Sequence, residues 1–345
     1  MITIKEFGAN SKGRVAAVTL TNLHGMSVTV LSYGATVQSI RVPDRNGTLT
    51  DVVLGYETAA EYERNDGYLG ATIGRNANRI AGAAFTLDHV RYVLTANEGR
   101  NQLHGGNNGL DKKIWSYSCR ANSAEFTTVL ADGEEGFPGC MAISVCFSLD
   151  EDNGLRIDYR AEADADTIAN FTNHSYFNLN GQGSGTVWGH SLRLAAGHYT
   201  PGDEQTMPTG EILPVDGTCM DFREAKPIGR ERGDAALALY GGYDHNFCLD
   251  GEGLRCVADA VGDRSGIRME VETTLEGIQL YTGKYLTHRA GKAGAAYEPH
   301  FGFCLETQHY PDAINQPAFP SPVLRRGGVY HETTVYRFGL EGKTV

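Results

Sequence analysis

Short runs in which apolar and polar residues alternate, separated by glycine-rich turns, dominate this chain of 345 residues. Such runs lie at 15–20, 26–31, 36–42, 91–94 and 125–130. Alternation with a period of two is typical of a strand that buries one face. Helical periodicity is confined to residues 57–64 and 230–239, while 43 glycines are spread along the whole sequence. The pattern predicts an all-β antiparallel sandwich or barrel rather than a doubly wound α/β sheet.

Two hairpins are predicted from pairs of alternating runs. Residues 140–149 and 155–161 flank an Asn153-Gly154 pair, which is a strong signal for a tight hairpin turn. Residues 254–261 and 267–274 flank a second polar, glycine-containing turn. Because no internal repeat, low-complexity tract or linker interrupts the chain, we expect a single domain over residues 1–345.

The charge balance limits the partners of the chain. A net charge of -12 argues against binding to nucleic acid or to an anionic membrane. No run approaches the ~20 apolar residues of a membrane span, and residues 1–7 do not resemble a secretion signal. Neutral or cationic small molecules and proteins remain as partners. The sequence leaves the oligomeric state open between a monomer and a homodimer.

The cysteines indicate a reducing compartment. The sequence has seven, an odd number, and none of them forms a Cys-x-x-Cys pair. Free buried thiols fit this pattern better than a disulfide framework or a zinc site. We therefore expect a cytoplasmic protein.

Searches for common catalytic motifs give negative results. The chain has no Gly-x-Gly-x-x-Gly, no phosphate-binding Gly-x-x-x-x-Gly-Lys-Ser/Thr loop and no Gly-x-Ser-x-Gly elbow. His331-Glu332 begins like a zinc-protease motif, but Val335 stands where the second histidine is needed. Nucleotide, metal and serine-nucleophile chemistry therefore lack support, and no cofactor is expected.

One acidic residue stands out within an apolar run. Residues 301–305 look like a buried strand, and Glu306 follows them directly. A buried carboxylate is costly unless it is paired or has a shifted pKa, and such shifts are used in general acid–base catalysis. The alternative is a strand end at which Glu306 points into water.

Four polar segments suggest what such a carboxylate would act on. They are residues 74–80, 97–106, 170–179 and 241–247, and Gln279 adds a further amide. Asn, Arg, Gln, Asp and His side chains interleaved with Tyr and Phe are the groups that hold a sugar, through hydroxyl contacts and ring stacking. Taken singly, each segment is equally typical of a turn or of a structural histidine.

With these segments together, the chain resembles the aldose 1-epimerases, or galactose mutarotases, along about its whole length. The matching elements are Gly74 with 77–80, then 103–106, 172–179, 243–245, 280–283, 305–309, 319–321 with Leu324, and 336–338. The resemblance implies a large antiparallel β-sandwich of the galactose mutarotase type, with few short helices and a monosaccharide bound in a groove across one sheet.

The resemblance also implies roles for individual residues. Glu306 resembles the general base, His174 the general acid and His104 a second active-site histidine. The implied substrate-binding positions are Asn78, Arg79, Tyr176, Asp244 and Gln279. Neither a metal nor a cofactor is implied.

Interconversion of anomers explains why an acid and a base are needed together. The proton leaves the C1 hydroxyl while the ring oxygen gains one, so we expect an ionised Glu306 and a protonated His174. A nearby Asp244 would favour the imidazolium by its charge. We expect Thr307, Gln308 and His309 to support Glu306, and His245 to lie behind the residues that contact the ligand.

Three other functions remain open at this stage. An epimerase for a hexose 6-phosphate would need a basic pocket, and a non-catalytic carbohydrate-binding protein would need no acid–base pair. A glycoside hydrolase would need two opposed carboxylates. The sequence departs from the family pattern at Asn76, which we expect to affect a groove wall, and at the turn 325–328, which we expect to be structural.

Overall fold

The computed structural model describes residues 1–64 and 66–342, and strands dominate it. In chain order the strands are β1 Ile2–Asn10, β2 Gly13–Thr21, β3 Ser27–Leu31, β4 Thr36–Pro43, β5 Leu49–Asp51, β6 Thr72–Ile73, β7 Arg79–Ile80, β8 Ala84–Leu87, β9 Val90–Val93, β10 Gln102–Leu103, β11 Ser116–Arg120, β12 Ser123–Leu130, β13 Met141–Leu149, β14 Gly154–Ala163 and β15 Thr167–Ile168. They continue with β16 Thr172–Asn173, β17 Ser191–Leu194, β18 His198–Thr200, β19 Leu213–Pro214, β20 Lys226–Pro227, β21 Asp244–Cys248, β22 Arg255–Val261, β23 Ile267–Thr273, β24 Gly277–Tyr281, β25 Arg289–Ala290, β26 Ala296–Tyr297, β27 Cys304–Gln308, β28 Val323–Leu324 and β29 Val329–Leu340.

Helices are few and short, as expected. The α-helices of the described residues are α1 Ala59–Glu63 and α2 Ala235–Ala238, and neither is long and apolar enough to span a membrane. Single 3₁₀ turns occur at Ala81–Ala83, Leu110–Lys112, Glu134–Gly136, Lys292–Gly294 and Ala313–Asn315. Helix α1 begins with a capping box, in which the Thr58 hydroxyl accepts from the Glu61 backbone N–H and the Glu61 carboxylate accepts from that of Thr58.

Three antiparallel sheets make up most of the molecule. The N-terminal sheet follows chain order, β1-β2-β3-β4-β5. A nine-stranded sheet has the order β11-β12-β13-β14-β29-β23-β22-β17-β20, and a third sheet has the order β19-β18-β21-β24-β27. Both hairpins predicted from the sequence are present in the nine-stranded sheet, as β13–β14 and β22–β23.

The sheets pack face to face around one hydrophobic cluster. It includes Val28 of β3, Phe147 of β13 and Leu305 of β27. Strand β13 alternates between buried and more exposed residues, because only one face of the nine-stranded sheet meets the core. Every residue of β24 and β27 is buried, so these strands are covered on both faces.

Among the described residues, side-chain hydrogen bonds join the third sheet to the nine-stranded sheet at two places. The Tyr336 hydroxyl of β29 donates to the Leu305 carbonyl over 3.0 Å. The hydroxyls of Thr307 and Thr334 lie 2.6 Å apart. Since successive side chains of a strand point to opposite faces, Leu305 and Thr307 face the core and Glu306 faces away from it. The residues of β27 that face away from the core are the ones available to a ligand.

We expect Phe147→Ala to lower the free energy of unfolding by about 3–5 kcal/mol, because it removes a fully buried ring from the cluster. Val129→Ala is the control on the same sheet, since Val129 is 58% exposed and should change stability by less than about 0.5 kcal/mol. Urea unfolding measures both variants. Equal losses in the two would contradict this account of the core.

Candidate active site

A cavity of about 300 Å³ opens on the face of the third sheet that points away from the core. Every site residue expected from the sequence lines it. The lining consists of Asp66, Gly67, Tyr68, Asn78, Arg79, Glu98, Leu103, His104, His174, Tyr176, Asp244, Gln279, Tyr281, Tyr285 and Glu306. The fold thus brings together residues that are up to 240 positions apart in the chain (Asp66 and Glu306).

Strand register places four of these side chains. Gln279 of β24 lies opposite Glu306 of β27, and Tyr281 lies opposite Asp244 of β21. Directly opposed residues of antiparallel strands share a face. Positions that differ by two along a strand share it as well, so the four side chains point into the same cavity. The Gln279 amide donates to the Asp244 carboxylate over 2.7 Å.

His174 lies beside Glu306 in a closely packed setting. Its Nε2 is 3.6 Å from Glu306 Oε1, and only 4% of His174 and 2% of Glu306 are exposed. The imidazole is stacked between Tyr176, at 5.0 Å between ring centroids, and Tyr68, at 5.8 Å. Its other nitrogen, Nδ1, is 3.6 Å from the sulfur of Cys304. The two faces and both nitrogens of the ring therefore have defined neighbours.

His104 is fixed by reciprocal bonds to Asn78. The Asn78 backbone N–H donates to His104 Nδ1 over 3.1 Å, and the His104 backbone N–H donates to the Asn78 carbonyl over 3.1 Å. Both residues have positive φ angles, 62° and 53°. Because Nδ1 accepts a hydrogen bond, the proton of the neutral ring is on Nε2. His104 therefore offers an N–H donor to the cavity.

Arg79 is held in place by an acidic partner. Its Nε and Nη2 donate to the two carboxylate oxygens of Glu98 over 2.7 and 2.8 Å. The Arg79 carbonyl accepts from the Asp312 backbone N–H, which ties β7 to the segment after β27. A bidentate pair of this kind fixes the plane of the guanidinium.

Burial sets the protonation of the acid–base pair. It raises the pKa of Glu306 well above its ordinary value, with a further upward contribution from Asp244 and an opposing one from Arg79. It lowers the pKa of His174 from 6.5 to about 4 and that of His104 well below 6.5. In the unliganded site, burial thus favours a protonated Glu306 and a neutral His174.

This differs from the sequence-based expectation of an ionised Glu306 beside an imidazolium. The expected influence of Asp244 also falls on a different group, because its charge raises the pKa of Glu306, whereas burial governs that of His174. A sequence shows which groups can titrate. It does not show how dry their surroundings are.

The expected support for Glu306 is also different in detail. Thr307 bonds to Thr334, and His309 Nδ1 lies 2.6 Å from the carboxylate of Glu276, so these two side chains anchor the strand and do not contact the Glu306 carboxylate. The amide of Gln308 is fully buried and has no hydrogen-bond partner among the described residues.

Three other expectations concern residues outside the cavity lining. His245 lies behind the wall, where its Nδ1 accepts from the Asp244 backbone N–H over 3.1 Å. Asn76 does not line the cavity, contrary to expectation, because its amide turns to the Ala77 carbonyl. Arg325 forms ion pairs with Asp88 and Asp166 at the surface, as a structural turn would.

Sequence reasoning missed several residues of the site. Glu98 was within a segment noted for its polarity, but nothing in the sequence pairs it with Arg79. Tyr68 and Tyr285 were not noted, although both line the cavity. Their positions depend on tertiary packing, so only an alternation of aromatic and polar residues in a loop could have indicated them.

His104, His174 and Glu306 form a cluster of residue types that can ligate a metal. One ligand atom from each residue lies within 4.8 Å of the others. However, the Asn78 N–H occupies Nδ1 of His104, so Nε2 carries a proton and has no lone pair for a cation. The donor set suits hydrogen bonding and proton transfer better than metal ligation.

Comparisons with known proteins show the family of this chain. The family model for aldose 1-epimerase matches residues 16–337. The galactose mutarotase of Bos taurus is 44% identical over 91% of this chain and 92% of its own length. The aldose 1-epimerase of Escherichia coli K12 is 37% identical over 94% of this chain and 95% of its own.

Solved structures of similar proteins have the same fold. The aldose epimerase homologue of C. elegans has a TM-score of 0.89 and 32% identity, over 94% of this chain and 99% of its own. The galactose 1-epimerase of Lactobacillus acidophilus has a TM-score of 0.86 and 27% identity, over 99% of each chain. The β-sandwich expected from the sequence is thereby confirmed. The chain belongs to the aldose 1-epimerase family and is an isomerase.

Proposed function

We propose that this enzyme interconverts the α and β anomers of free aldohexoses, galactose and glucose among them, with Glu306 as the base and His174 as the acid. The observation that carries the proposal is the 3.6 Å approach of His174 Nε2 to Glu306 Oε1 in a buried cavity. The names of the relatives, galactose mutarotase and aldose 1-epimerase, support the choice of substrate.

The reaction requires two proton transfers. Ionised Glu306 takes the proton of the C1 hydroxyl, and protonated His174 gives a proton to the ring oxygen as the bond between C1 and that oxygen breaks. The product is the open-chain aldehyde, held between a protonated Glu306 and a neutral His174. Rotation about the C1–C2 bond and reversal of both transfers give the other anomer.

The shifted pKa values suit these roles. A carboxylate with a raised pKa is a stronger base, and an imidazolium with a lowered pKa is a stronger acid. Ring opening therefore takes the pair to the protonation state that burial favours. In the unliganded site the pair shares one proton, which is on Glu306. Transfer of this proton across 3.6 Å to His174 gives the reactive state, with an ionised Glu306 and a protonated His174.

The remaining polar groups are placed to bind hydroxyls. Two nitrogens of Arg79, Nε and Nη2, donate to Glu98, so Nη1 is left to donate to a ligand. Gln279 donates to Asp244 through its nitrogen, while its Oε1 is buried and has no partner among the described residues. We propose that these groups, together with Asn78, Tyr176 and the Nε2–H of His104, hold the sugar.

The lining charges favour a neutral sugar over a phosphorylated one. Asp66, Glu98, Asp244 and Glu306 are acidic, whereas Arg79 is the sole Arg or Lys among the described residues of the lining and is already paired with Glu98. A phosphate dianion would meet a net negative field here. The group within 3.6 Å of Glu306 is the His174 imidazole, and the nearby Asp244 carboxylate accepts from Gln279, so the arrangement favours an acid–base pair over the two opposed carboxylates of a hydrolase.

We further propose that the chain acts in the cytoplasm as a single domain over residues 1–345. Its seven cysteines are free thiols, as a reducing compartment would keep them. One hydrophobic cluster draws residues from all three large sheets, which supports one folding unit.

For Glu306→Gln we expect kcat to fall about 10²- to 10⁴-fold while sugar binding and folding persist, since the amide keeps the shape but cannot accept a proton. Polarimetry on freshly dissolved α-galactose and α-glucose measures the rate above the buffer background. Turnover near that of the wild type would contradict the assignment of the base.

For His174→Asn we expect a comparable loss of kcat with KM changed little, because the loss of the acid acts on the transition state more than on the bound sugar. The same polarimetric assay, run over a range of sugar concentrations, separates the two constants. A change confined to KM would make His174 a binding residue.

The dependence of kcat/KM on pH should have two limbs, because the active pair carries one proton. At low pH a second proton enters, so activity should rise with pH through about 4, the value to which burial lowers the pKa of His174. At high pH the last proton leaves, and activity should fall at a pH well above the ordinary pKa of a glutamate. Rates measured across pH in several buffers test this. An acid limb near 6.5 would contradict it.

A further inference from the structure

A thiol lies against the proposed acid. Cys304 is on the same face of β27 as Glu306, two residues before it. Its sulfur is 3.6 Å from His174 Nδ1, and the side chain is fully buried. The opposite nitrogen of the ring, Nε2, lies 3.6 Å from Glu306 Oε1. The imidazole is therefore held between a thiol and a carboxyl group of the same strand.

The thiol is a hydrogen-bond donor in this setting. Burial raises the pKa of Cys304 well above its ordinary value, and the nearby Glu306 and Asp244 raise it further. The sulfur thus keeps its proton across the working range of pH. The acceptor within reach is Nδ1 of His174, since a neutral imidazole has one nitrogen with a free lone pair.

We propose that Cys304 is a positioning residue whose S–H donates to Nδ1 of His174 and keeps the ring proton on Nε2, the nitrogen that faces Glu306 and the sugar. This inference rests on the proposed role of His174 as the acid. His104 offers a parallel, because the backbone N–H of Asn78 occupies its Nδ1 in the same way. Both histidines then present an Nε2–H donor to the ligand.

A thiol at Nδ1 has a second consequence, for acid strength. A carboxylate or carbonyl at this nitrogen would stabilise the imidazolium and raise its pKa. A hydrogen bond to the backbone of His174 itself acts in this upward direction, but the effect of burial is larger. A donor bond from Cys304 acts in the same direction as burial, because it stabilises the neutral ring and makes protonated His174 a stronger acid. The other titratable groups around the ring are Glu306, His104, Tyr68, Tyr176 and Tyr281. The charged groups Arg79 and Asp244 line the same cavity.

The test uses two replacements that differ in one hydroxyl group. Cys304→Ser keeps a hydrogen-bond donor at the position of the thiol, whereas Cys304→Ala removes both the donor and its volume. We expect Cys304→Ala to lower kcat about 3- to 10-fold, the effect of losing one hydrogen bond, with KM within about twofold. Cys304→Ser should stay within about twofold of wild-type kcat. Cys256→Ala, at an exposed cysteine, is the control and should match wild type.

The pH profile and the tautomer give readouts that a merely structural role would not move. In Cys304→Ala the acid limb of kcat/KM should lie at a higher pH than in the wild type, because the neutral ring has lost its donor, while burial still keeps the limb below the ordinary pKa of histidine. Nitrogen-15 NMR of histidine-labelled protein, assigned with His174→Asn, should show the Nε2–H form in wild type and in Cys304→Ser. Cys304→Ala should show a mixture of both tautomers.

Three results would overturn the inference. They are an Nδ1–H tautomer of His174 in the wild type, equal kcat for the Ser and Ala variants, and an unmoved acid limb in Cys304→Ala. The wild-type spectrum shows which nitrogen of His174 carries the proton, so it tests the inference even if neither variant folds. Full activity of His174→Asn would instead refute the acid role, and the spectrum would still report on the thiol contact, so the two failures are distinguishable.

Discussion

The site depends on the register of strands β21, β24 and β27. This register places Gln279 beside Glu306, and Asp244 in the row with Tyr281 and Cys304. A slip of one residue would turn Glu306 into the hydrophobic core and Leu305 into the cavity. The register of β27 is fixed from behind, where Leu305 joins the core and Thr307 bonds to the nine-stranded sheet. Packing on one face of this strand therefore specifies the chemistry on the other.

The same packing creates the electrostatic conditions of the site. Strands covered on both faces keep water from Glu306 and His174, and this loss of solvation shifts their pKa values in opposite directions. In water, a glutamate is a weak base and an imidazolium is a weak acid. Burial strengthens both, at the cost of making the ionised pair less stable than the neutral one. Arg79 offsets part of that cost by favouring the Glu306 carboxylate.

The sequence predicts those features of the fold and the site that depend on residues close together in the chain. Alternating runs predicted the β13–β14 hairpin, because side chains that alternate between core and solvent leave a period of two. An apolar run that ends in Glu306 indicated a buried carboxylate. The pairing of Glu98 with Arg79 joins residues 19 positions apart and the approach of Cys304 to His174 joins residues 130 positions apart, so no pattern within one segment indicates them. The directions of the pKa shifts depend on burial, which is also a property of the folded chain.

His104 and His174 have identical side chains, but their hydrogen-bond partners give them different roles. Both are buried, and both have Nδ1 occupied, one by a backbone N–H and the other by a thiol. A backbone donor cannot be lost or reversed, so His104 is confined to donating from Nε2. A thiol can donate to a neutral ring and can also accept weakly from a protonated one. His174 alone therefore has a partner that tolerates both of its protonation states, which is what an acid that must be reprotonated in every cycle requires.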